Sequence, residues 1–245
     1  MSEHTEPGSE WAHHYKLPPP MNMMEKRPQR EKLFVLQGTR MFSAIEACIL
    51  KYLPGCEIEQ LDILDFGCGV GRVALPFFFK YGKPSVCADV DAAVIQYLRD
   101  VIPAANPIKT DYSPPLPFAD SSFDCIYAIS VWTHLPPTAA EAWLHEVTRL
   151  LRPKGVAMLT TASYSALTTR RQRAPGWQTV SDDDLRREGM IFKPTPSPRG
   201  VTGTYGMAVH DAEWIRRNWS KYMPVVGVEV GGILGRQDIN VLQKP

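Results

Sequence analysis

Apolar residues along the chain fall into stretches with helical spacing and short continuous runs. Between residues 33 and 53 the apolar positions recur every three or four residues, and Pro54-Gly55 ends the pattern. Further helices are predicted at 71–81, 92–101, 138–151 and 211–221. Strands are predicted at 61–66, 85–90, near 110, and at 123–129, 156–161, 225–230 and 238–242. This alternation predicts an α/β fold, with a doubly wound and mostly parallel sheet.

Local signals set several element ends. Gly82 stops the second helix, and Asp91 is placed to cap the third. Thr138 and Glu141 have the spacing of a capping box for the helix at 138–151. The segment 153–155, Pro-Lys-Gly, predicts a turn into the fifth strand.

Two regions depart from the α/β alternation. Residues 1–32 are rich in proline, histidine and charge and are expected to form a flexible arm before a domain at 33–245. His4, His13 and His14 lie in this arm without a cysteine or carboxylate set, so no metal site is expected. Residues 163–208 are too long for a plain connection and are expected to form a substrate lid, with a polar helix near 181–188.

Composition narrows the classes of partner. Lys and Arg number 27 and Asp and Glu number 26, so no net charge draws the chain to nucleic acid or to an anionic membrane. This balance favours a small-molecule partner. The chain is expected to be a monomer or a homodimer. The start of the chain lacks the apolar core of a secretory signal, and the apolar run 73–79 is too short to span a bilayer. Five cysteines without a Cys-x-x-Cys pair indicate a reducing cytoplasm and no structural zinc site.

The segment with the clearest chemistry is a glycine turn between a strand and a helix. Gly67, Gly69 and Gly71 let the backbone approach a ligand and present amide groups to it. Asp65 precedes them, where a carboxylate would repel a pyrophosphate and attract a cationic amino acid. Asp89 ends the second strand, where it suits a pair of ribose hydroxyls.

Asp111 and Tyr112 end the third strand and offer an acceptor and a ring to an adenine base. Acid, glycines, acid and acid in this order fit adenosine joined to a charged amino acid. The order therefore favours S-adenosylmethionine (SAM) over a nicotinamide dinucleotide.

Three segments together resemble the class I SAM-dependent methyltransferases. Residues 63–72, Ile-Leu-Asp-Phe-Gly-Cys-Gly-Val-Gly-Arg, are similar to the first motif of that family. Residues 116–124 resemble its approach to the fourth strand, and residues 150–155 its turn before the fifth. The resemblance implies a Rossmann-like sheet of seven strands with a reversed final hairpin, and SAM as cofactor. The residues expected to line the cofactor are Asp65, Gly67, Cys68, Gly69, Asp89, Val90, Asp111, Tyr112 and Ser130.

The acceptor end of the site is less defined by sequence. His134 follows the fourth strand and is the first candidate for a general base, although it can equally be a packing residue. His210 and Tyr205 flank the insertion and are further catalytic candidates. Trp132 either walls the acceptor or packs. Arg170 and Arg171 either grip an anionic group of the acceptor or belong to a solvated lid.

The expected reaction is methyl transfer to a small molecule, with a hydroxyl oxygen as the first choice of acceptor and nitrogen as the second. A sugar or secondary metabolite is the expected acceptor class. No metal requirement is expected. Two alternatives remain, a nicotinamide-dependent oxidoreductase and a SAM-binding partner protein without catalysis.

Overall fold

The computed structural model describes residues 28–196 and 205–245, and seven of its strands form one sheet. These strands are β1 (Ile63–Phe66), β2 (Val86–Asp89), β3 (Ile108–Lys109), β4 (Phe123–Ala128), β5 (Leu151–Thr161), β8 (Val225–Ile233) and β9 (Gln237–Gln243). Their order in the sheet is β3-β2-β1-β4-β5-β9-β8. The pairs β1–β2, β2–β3 and β4–β5 are parallel, and β9 is antiparallel to both β5 and β8. The predicted fold class is confirmed, including the reversed final hairpin.

Helices connect the strands. They are α1 (Pro28–Tyr52), α2 (Ala74–Tyr81), α3 (Ala92–Val101), α4 (Pro137–Leu150), α5 (Tyr164–Arg173), α6 (Asp182–Glu188) and α7 (Ala212–Trp219). The chain divides into two compact units, the first ending at Thr110 and the second beginning at Asp111. Helix α1 includes residues 28–32, which the sequence assigned to the arm, and the rest of the arm lies outside the described residues.

Helix α1 is the longest helix of the first unit and has a strongly apolar side. Its part Lys32–Tyr52 is long and apolar enough to cross a membrane, with a mean hydropathy of 1.4. The sequence predicted a helix here but did not indicate that it is long and apolar enough to cross a membrane. Phe34, Ile45 and Ile49 are fully buried, and Phe34 packs in a core with residues of α2 and α3. The apolar side of α1 therefore fits a core helix, for which a hydrophobic stripe is the rule.

Two capping predictions have opposite outcomes. The carboxylate of Asp91 accepts hydrogen bonds from the amides of Ala93 and Val94, so it caps α3 as predicted. The capping box at Thr138 is wrong, because α4 begins one residue earlier, at Pro137. Proline is favoured at the first helical position, where its missing N–H costs nothing, and this start moves Thr138 past the cap.

The predicted turn at 153–155 lies inside β5 as an irregularity. Leu151 pairs with Phe123, and the next paired residue of β5 is Val156, opposite Cys125. A Cβ on Gly155 would lie 2.9 Å from the carbonyl oxygens of Asp124 and Arg152, so this bulge requires glycine.

The insertion at 163–208 contains regular structure where the sequence left most of it open. It holds α5, α6 and a two-stranded antiparallel sheet of β6 (Met190–Pro194) and β7 (Gly206–His210). The predicted helix at 181–188 is present, and its capping box joins Ser181 to Asp184. Leu167, Trp177 and Leu185 are buried in a small core of this region. The role of the insertion as a lid stays a prediction.

Candidate active site

The glycine turn lies between β1 and α2 in the first unit. Gly67, Gly69 and Gly71 have φ values of 73°, 52° and 74°, which glycine adopts without strain. A Cβ built on Gly69 meets no atom of residues 28–196 and 205–245 within 4 Å, whereas one on Gly71 would lie 2.8 Å from the side chain of Leu98. Gly69 therefore leaves space beside the backbone for a ligand, and Gly71 lets α3 pack closely.

The amides of this turn are engaged within the protein. Gly67 and Cys68 both donate to the carbonyl of Ala88, at 2.8 and 3.1 Å, and Gly71 donates to the carbonyl of Cys68. The amide of Gly69 donates to the Asp89 carboxylate at 2.9 Å. The expectation that the glycine turn presents these amides to a ligand is therefore wrong. The amides of Gly67, Cys68, Gly69 and Gly71 are therefore not available to a pyrophosphate.

Asp89 organises the end of β2. Its Oδ2 accepts from Gly69, and its Oδ1 accepts from the amide of Asp91, also at 2.9 Å. The side chain is buried, and Val90 beside it is partly exposed. The carboxylate thus fixes the glycine turn from the neighbouring strand. A carboxylate oxygen accepts more than one hydrogen bond, so this role leaves capacity for ribose hydroxyls.

Asp65 and Cys68 lie at the buried base of the turn. Burial raises the pKa of the Cys68 thiol well above its usual value, and Cys87, Asp65 and Asp89 nearby raise it further. The thiol stays protonated, which excludes a nucleophilic role for Cys68.

Asp111 and Tyr112 open the second unit and are both exposed, with the carbonyl of Tyr112 accepting from the indole of Trp143 at 3.3 Å. Their contacts to adenine stay predictions. Exposure of the Tyr112 ring is compatible with a base lying against it.

Ser130 follows β4 in an unusual conformation. Its φ is 63°, which costs a non-glycine residue of the order of 1–3 kcal/mol and is concentrated at functional sites. Its amide donates to the hydroxyl of Thr160, and its own hydroxyl accepts from Gln237. Thr160 in turn donates to Gln237 at 2.7 Å. The sequence did not point to Gln237 as part of this hydrogen-bonded group, because no motif surrounds its position at the start of β9.

His134 is held in one orientation. Its Nδ1 lies 2.7 Å from the carbonyl oxygen of Gly206, and its ring stacks on Tyr205 with centroids 4.7 Å apart and an interplanar angle of 11°. A carbonyl oxygen only accepts hydrogen bonds, so Nδ1 carries the proton. In the neutral ring the lone pair is then on Nε2. The structure thus brings together two of the three catalytic candidates.

Strand β7 supports this arrangement along one edge. The amides of Gly206 and Ala208 donate to the carbonyls of His134 and Thr133, at 3.1 and 2.8 Å, and the amide of His210 donates to Ala162. The strand is therefore bonded by alternate residues to the segment that carries His134.

His210, the third catalytic candidate, lies in the interior. It is 1% exposed, and neither ring nitrogen has a hydrogen-bond partner among the residues that the structure describes. Burial, with Arg170 nearby, lowers its pKa to about 3. A base must contact its acceptor, so the burial of His210 contradicts its expected catalytic role. Trp132 is fully buried and lies against Trp219 with ring centroids 6.1 Å apart, which favours the packing alternative.

The two arginines that were expected to bind the acceptor or to belong to a solvated lid, Arg170 and Arg171, have different surroundings. Arg171 donates to the carbonyl of Val180 at 2.6 Å and forms an ion pair with Asp182. Arg171 therefore braces the insertion, and its expected substrate role is not supported. Arg170 donates to the carbonyl of Ala208 at 2.7 Å and lies over the ring of Trp177.

In residues 28–196 and 205–245, no group of three or more His, Cys, Asp or Glu side chains is arranged to hold a metal ion.

Comparison with known proteins bears on the identity of this fold. Residues 64–159 match the family model described as "Methyltransferase domain". Methyltransferase GfsG of Streptomyces halstedii is 34% identical over 108 residues, which cover 40% of this chain and 38% of that protein. The tRNA N(3)-cytidine methyltransferase METTL2 of Danio rerio is 29% identical over 117 residues, covering 43% of this chain and 33% of that protein.

Among solved structures, magnesium protoporphyrin IX methyltransferase from Synechocystis, with SAH bound, superposes with a TM-score of 0.58. It is 13% identical and covers 96% of this chain and 93% of its own, which shows a common fold. The chain spans about a third of the length of the curated relatives named above. Residues 64–159 thus match a methyltransferase domain, and the solved structure shows that the fold is shared.

Proposed function

We propose that this chain, whose residues 64–159 form a methyltransferase domain, transfers a methyl group from SAM to a hydroxyl oxygen of a small molecule. The observation that carries the choice of oxygen is the hydrogen bond between His134 Nδ1 and the carbonyl of Gly206. An alcohol or phenol must lose its proton as it attacks, and an imidazole with its lone pair on Nε2 is suited to take it.

The first unit supplies residues that fit SAM. Space is open beside Gly69, and Asp89 lies next to it with a carboxylate that can accept from ribose hydroxyls. Asp65 adds a buried negative charge near the turn, which suits a cationic amino-acid moiety. When bound, SAM supplies a methyl group already activated on a sulfonium.

The protein's part in such a reaction is mainly positioning. Alignment of reactants supplies about 7–11 kcal/mol of barrier reduction in favourable cases, and a general base contributes roughly 10²–10⁴ in rate. The stacked Tyr205 and the Gly206 carbonyl restrict rotation of the His134 ring, so the lone pair has a fixed direction. Ser130 and its partners Thr160 and Gln237 brace the segment that leads to His134.

Nitrogen is the second acceptor considered, and tRNA is a third because the METTL2 relative acts on it. An amine that is already deprotonated needs no base, so His134 would have no chemical role with it. The near-zero net charge gives no broad basic surface for an RNA backbone.

The test is a pair of histidine variants in the full chain. For His134→Gln, which keeps a donor for Gly206 but no base, we expect the affinity for SAH, measured by calorimetry, to be unchanged. The kcat for methyl transfer from labelled SAM to a panel of hydroxylated metabolites should fall about 10²–10⁴-fold. His145→Gln is the matched control, because His145 is exposed on α4 and lies edge-on against the Tyr222 ring.

Several results would contradict the proposal. An unchanged kcat for His134→Gln would remove the base role and favour nitrogen as the acceptor. Methylation of tRNA without methylation of small molecules would replace the acceptor class. Binding of NADH without binding of SAM or SAH would overturn the proposed activity. Full biological function of an Asp65→Ala variant that no longer binds SAM would favour a non-catalytic protein, and loss of turnover in EDTA would contradict metal independence.

A further inference from the structure

Arg170 is a partly buried cation whose protein partners leave most of its donors unused. Its Nη1 donates to the carbonyl of Ala208, and its guanidinium carbon lies 5.1 Å from the centroid of Trp177. Among the residues that the structure describes, no carboxylate pairs with it, in contrast to Arg171 on the same helix. The edge formed by Nε and Nη2 accordingly has two donors without a protein acceptor.

The surroundings of Arg170 disfavour an isolated positive charge. Burial lowers its pKa to about 10. A guanidinium removed from water is stabilised when an anion accepts its remaining hydrogen bonds, and bidentate pairing with a carboxylate is the geometry its planar fork provides.

Lys193 places a second positive charge near the same tryptophan ring. Its Nζ lies 5.4 Å from the centroid of Trp177 and donates to the carbonyl of Gly176. No carboxylate pairs with it in residues 28–196 and 205–245. Two cations therefore share one indole ring, which is itself 1% exposed. Two cations so placed, with no acidic residue paired to either, favour an anionic ligand.

Arg170 and His134 are fixed to one edge of β7. Gly206 accepts from His134, and Ala208, two residues further, accepts from Arg170. The amides of Gly206 and Ala208 bond to His134 and Thr133, so both residues direct their polar groups to this edge. Two residues of a strand span about 7 Å. The two carbonyls that anchor the imidazole and the guanidinium are therefore about 7 Å apart, a distance that one small ring with two substituents can span.

From this arrangement we propose that Arg170 binds a carboxylate of the methyl acceptor and presents a hydroxyl of the same molecule to His134. The acceptor is then a hydroxy acid, with Lys193 adding a longer-range attraction. This inference rests on the proposed function, since it deepens the description of the same site. The Nε–Nη2 edge offers two parallel donors, which the two coplanar oxygens of a carboxylate match; a phosphate is the other anion that such an edge binds, and the experiment distinguishes the two.

The test observes Arg170 directly and needs no knowledge of the acceptor. The Nε–H signals of the arginines are recorded by NMR on the ¹⁵N-labelled full chain, and the Arg170 signal is identified by its loss in Arg170→Lys. Benzoate, benzamide and inorganic phosphate are then titrated. We expect benzoate to shift the Arg170 signal to saturation and benzamide to leave it unchanged. Arg173, exposed on the same helix, serves as the internal control.

A second variant links binding to turnover. Arg170→Gln should bind benzoate at least about tenfold more weakly than the native chain, the scale of a lost charge-assisted hydrogen bond, while Arg173→Gln should not differ from it. In an acceptor screen, the native chain should methylate hydroxy acids in preference to their amides. Arg170→Gln should lose that preference through a raised KM.

The outcomes separate this inference from the proposed function. No saturable shift with benzoate, or an equal shift of Arg173, overturns the assignment of Arg170. Tighter binding of phosphate than of benzoate overturns the carboxylate in favour of a phosphorylated acceptor. SAH calorimetry on the same samples is independent of these results, so its failure would overturn the methyltransferase proposal and leave the anion site standing.

Discussion

Replacement of Asp89 by Asn tests the central geometry of the cofactor side. Asp89 accepts from two backbone amides, those of Gly69 and Asp91, through different oxygens at 2.9 Å. Asparagine has one oxygen and one NH₂ group, so one of these amides would face another donor. The change removes one charge and one hydrogen bond without altering the size of the side chain.

The expected magnitude follows from those contacts. An amide left without an acceptor at a buried position costs about 1–3 kcal/mol of folding free energy. For a chain of this size, each kcal/mol lowers the Tm by about 2–4 °C. Hydrogen bonds to a charged acceptor are worth about 1.5–3 kcal/mol, so the affinity for SAH should fall by roughly 10- to 150-fold.

Calorimetry with SAH and thermal unfolding measure the two effects. Asp91→Asn is the matched control, since asparagine caps a helix as well as aspartate and the backbone amide that bonds Asp89 is retained. That variant should bind SAH within about threefold of the native chain. If Asp89→Asn bound SAH as tightly as Asp91→Asn, the assignment of Asp89 as the residue that fixes the turn and holds the ribose would be refuted.

Two further predictions concern stability. Gly189→Ala should lower the Tm strongly, because the added methyl would lie 1.9 Å from Trp214 at a φ of 76°. Gly55→Ala is the control, because Gly55 has a similar φ of 80° but no described atom within 4 Å of the added methyl. Its free energy of unfolding should fall by only about 1 kcal/mol. His210 has a folded pKa of about 3, below that of the unfolded chain, so the unfolded state binds a proton first as the pH falls. Stability should be complete above pH 6.5 and decline toward pH 3 by up to about 1.4 kcal/mol per pH unit. In urea titrations at several pH values, His210→Leu should show a shallower decline, and an unchanged one would contradict the assignment.

The order of elements was open to prediction because the signals that set it are local. Buried parallel strands need continuous apolar runs, and a glycine turn with flanking acids needs particular residues at fixed spacings. Asp91 capped its helix as expected, since a cap involves only its near neighbours. The predicted cap at Thr138 was wrong because Pro136 and Pro137 start the helix earlier. The spacing of residues alone does not show which of two possible starts is used.

The acceptor side depended on contacts between distant parts of the chain. His134 meets Gly206, and Arg170 meets Ala208, across separations of 72 and 38 residues. Such pairs leave no periodic trace, so the residue pattern ranked His134 ahead of His210 as a base and did not distinguish Arg170 from Arg171. Tertiary packing distinguished them, by burying His210 and by giving Arg171 a carboxylate partner.

The sequence by itself determined the sheet, the glycine turn and the acids around it, because each is encoded within a short segment. Only the tertiary structure decided how those groups are used. It turned the amides of the glycine turn inward to Ala88 and Asp89, and it oriented the His134 ring by a carbonyl from the insertion. The physical reason is that a hydrogen bond depends on the position of both partners, whereas a residue pattern specifies one.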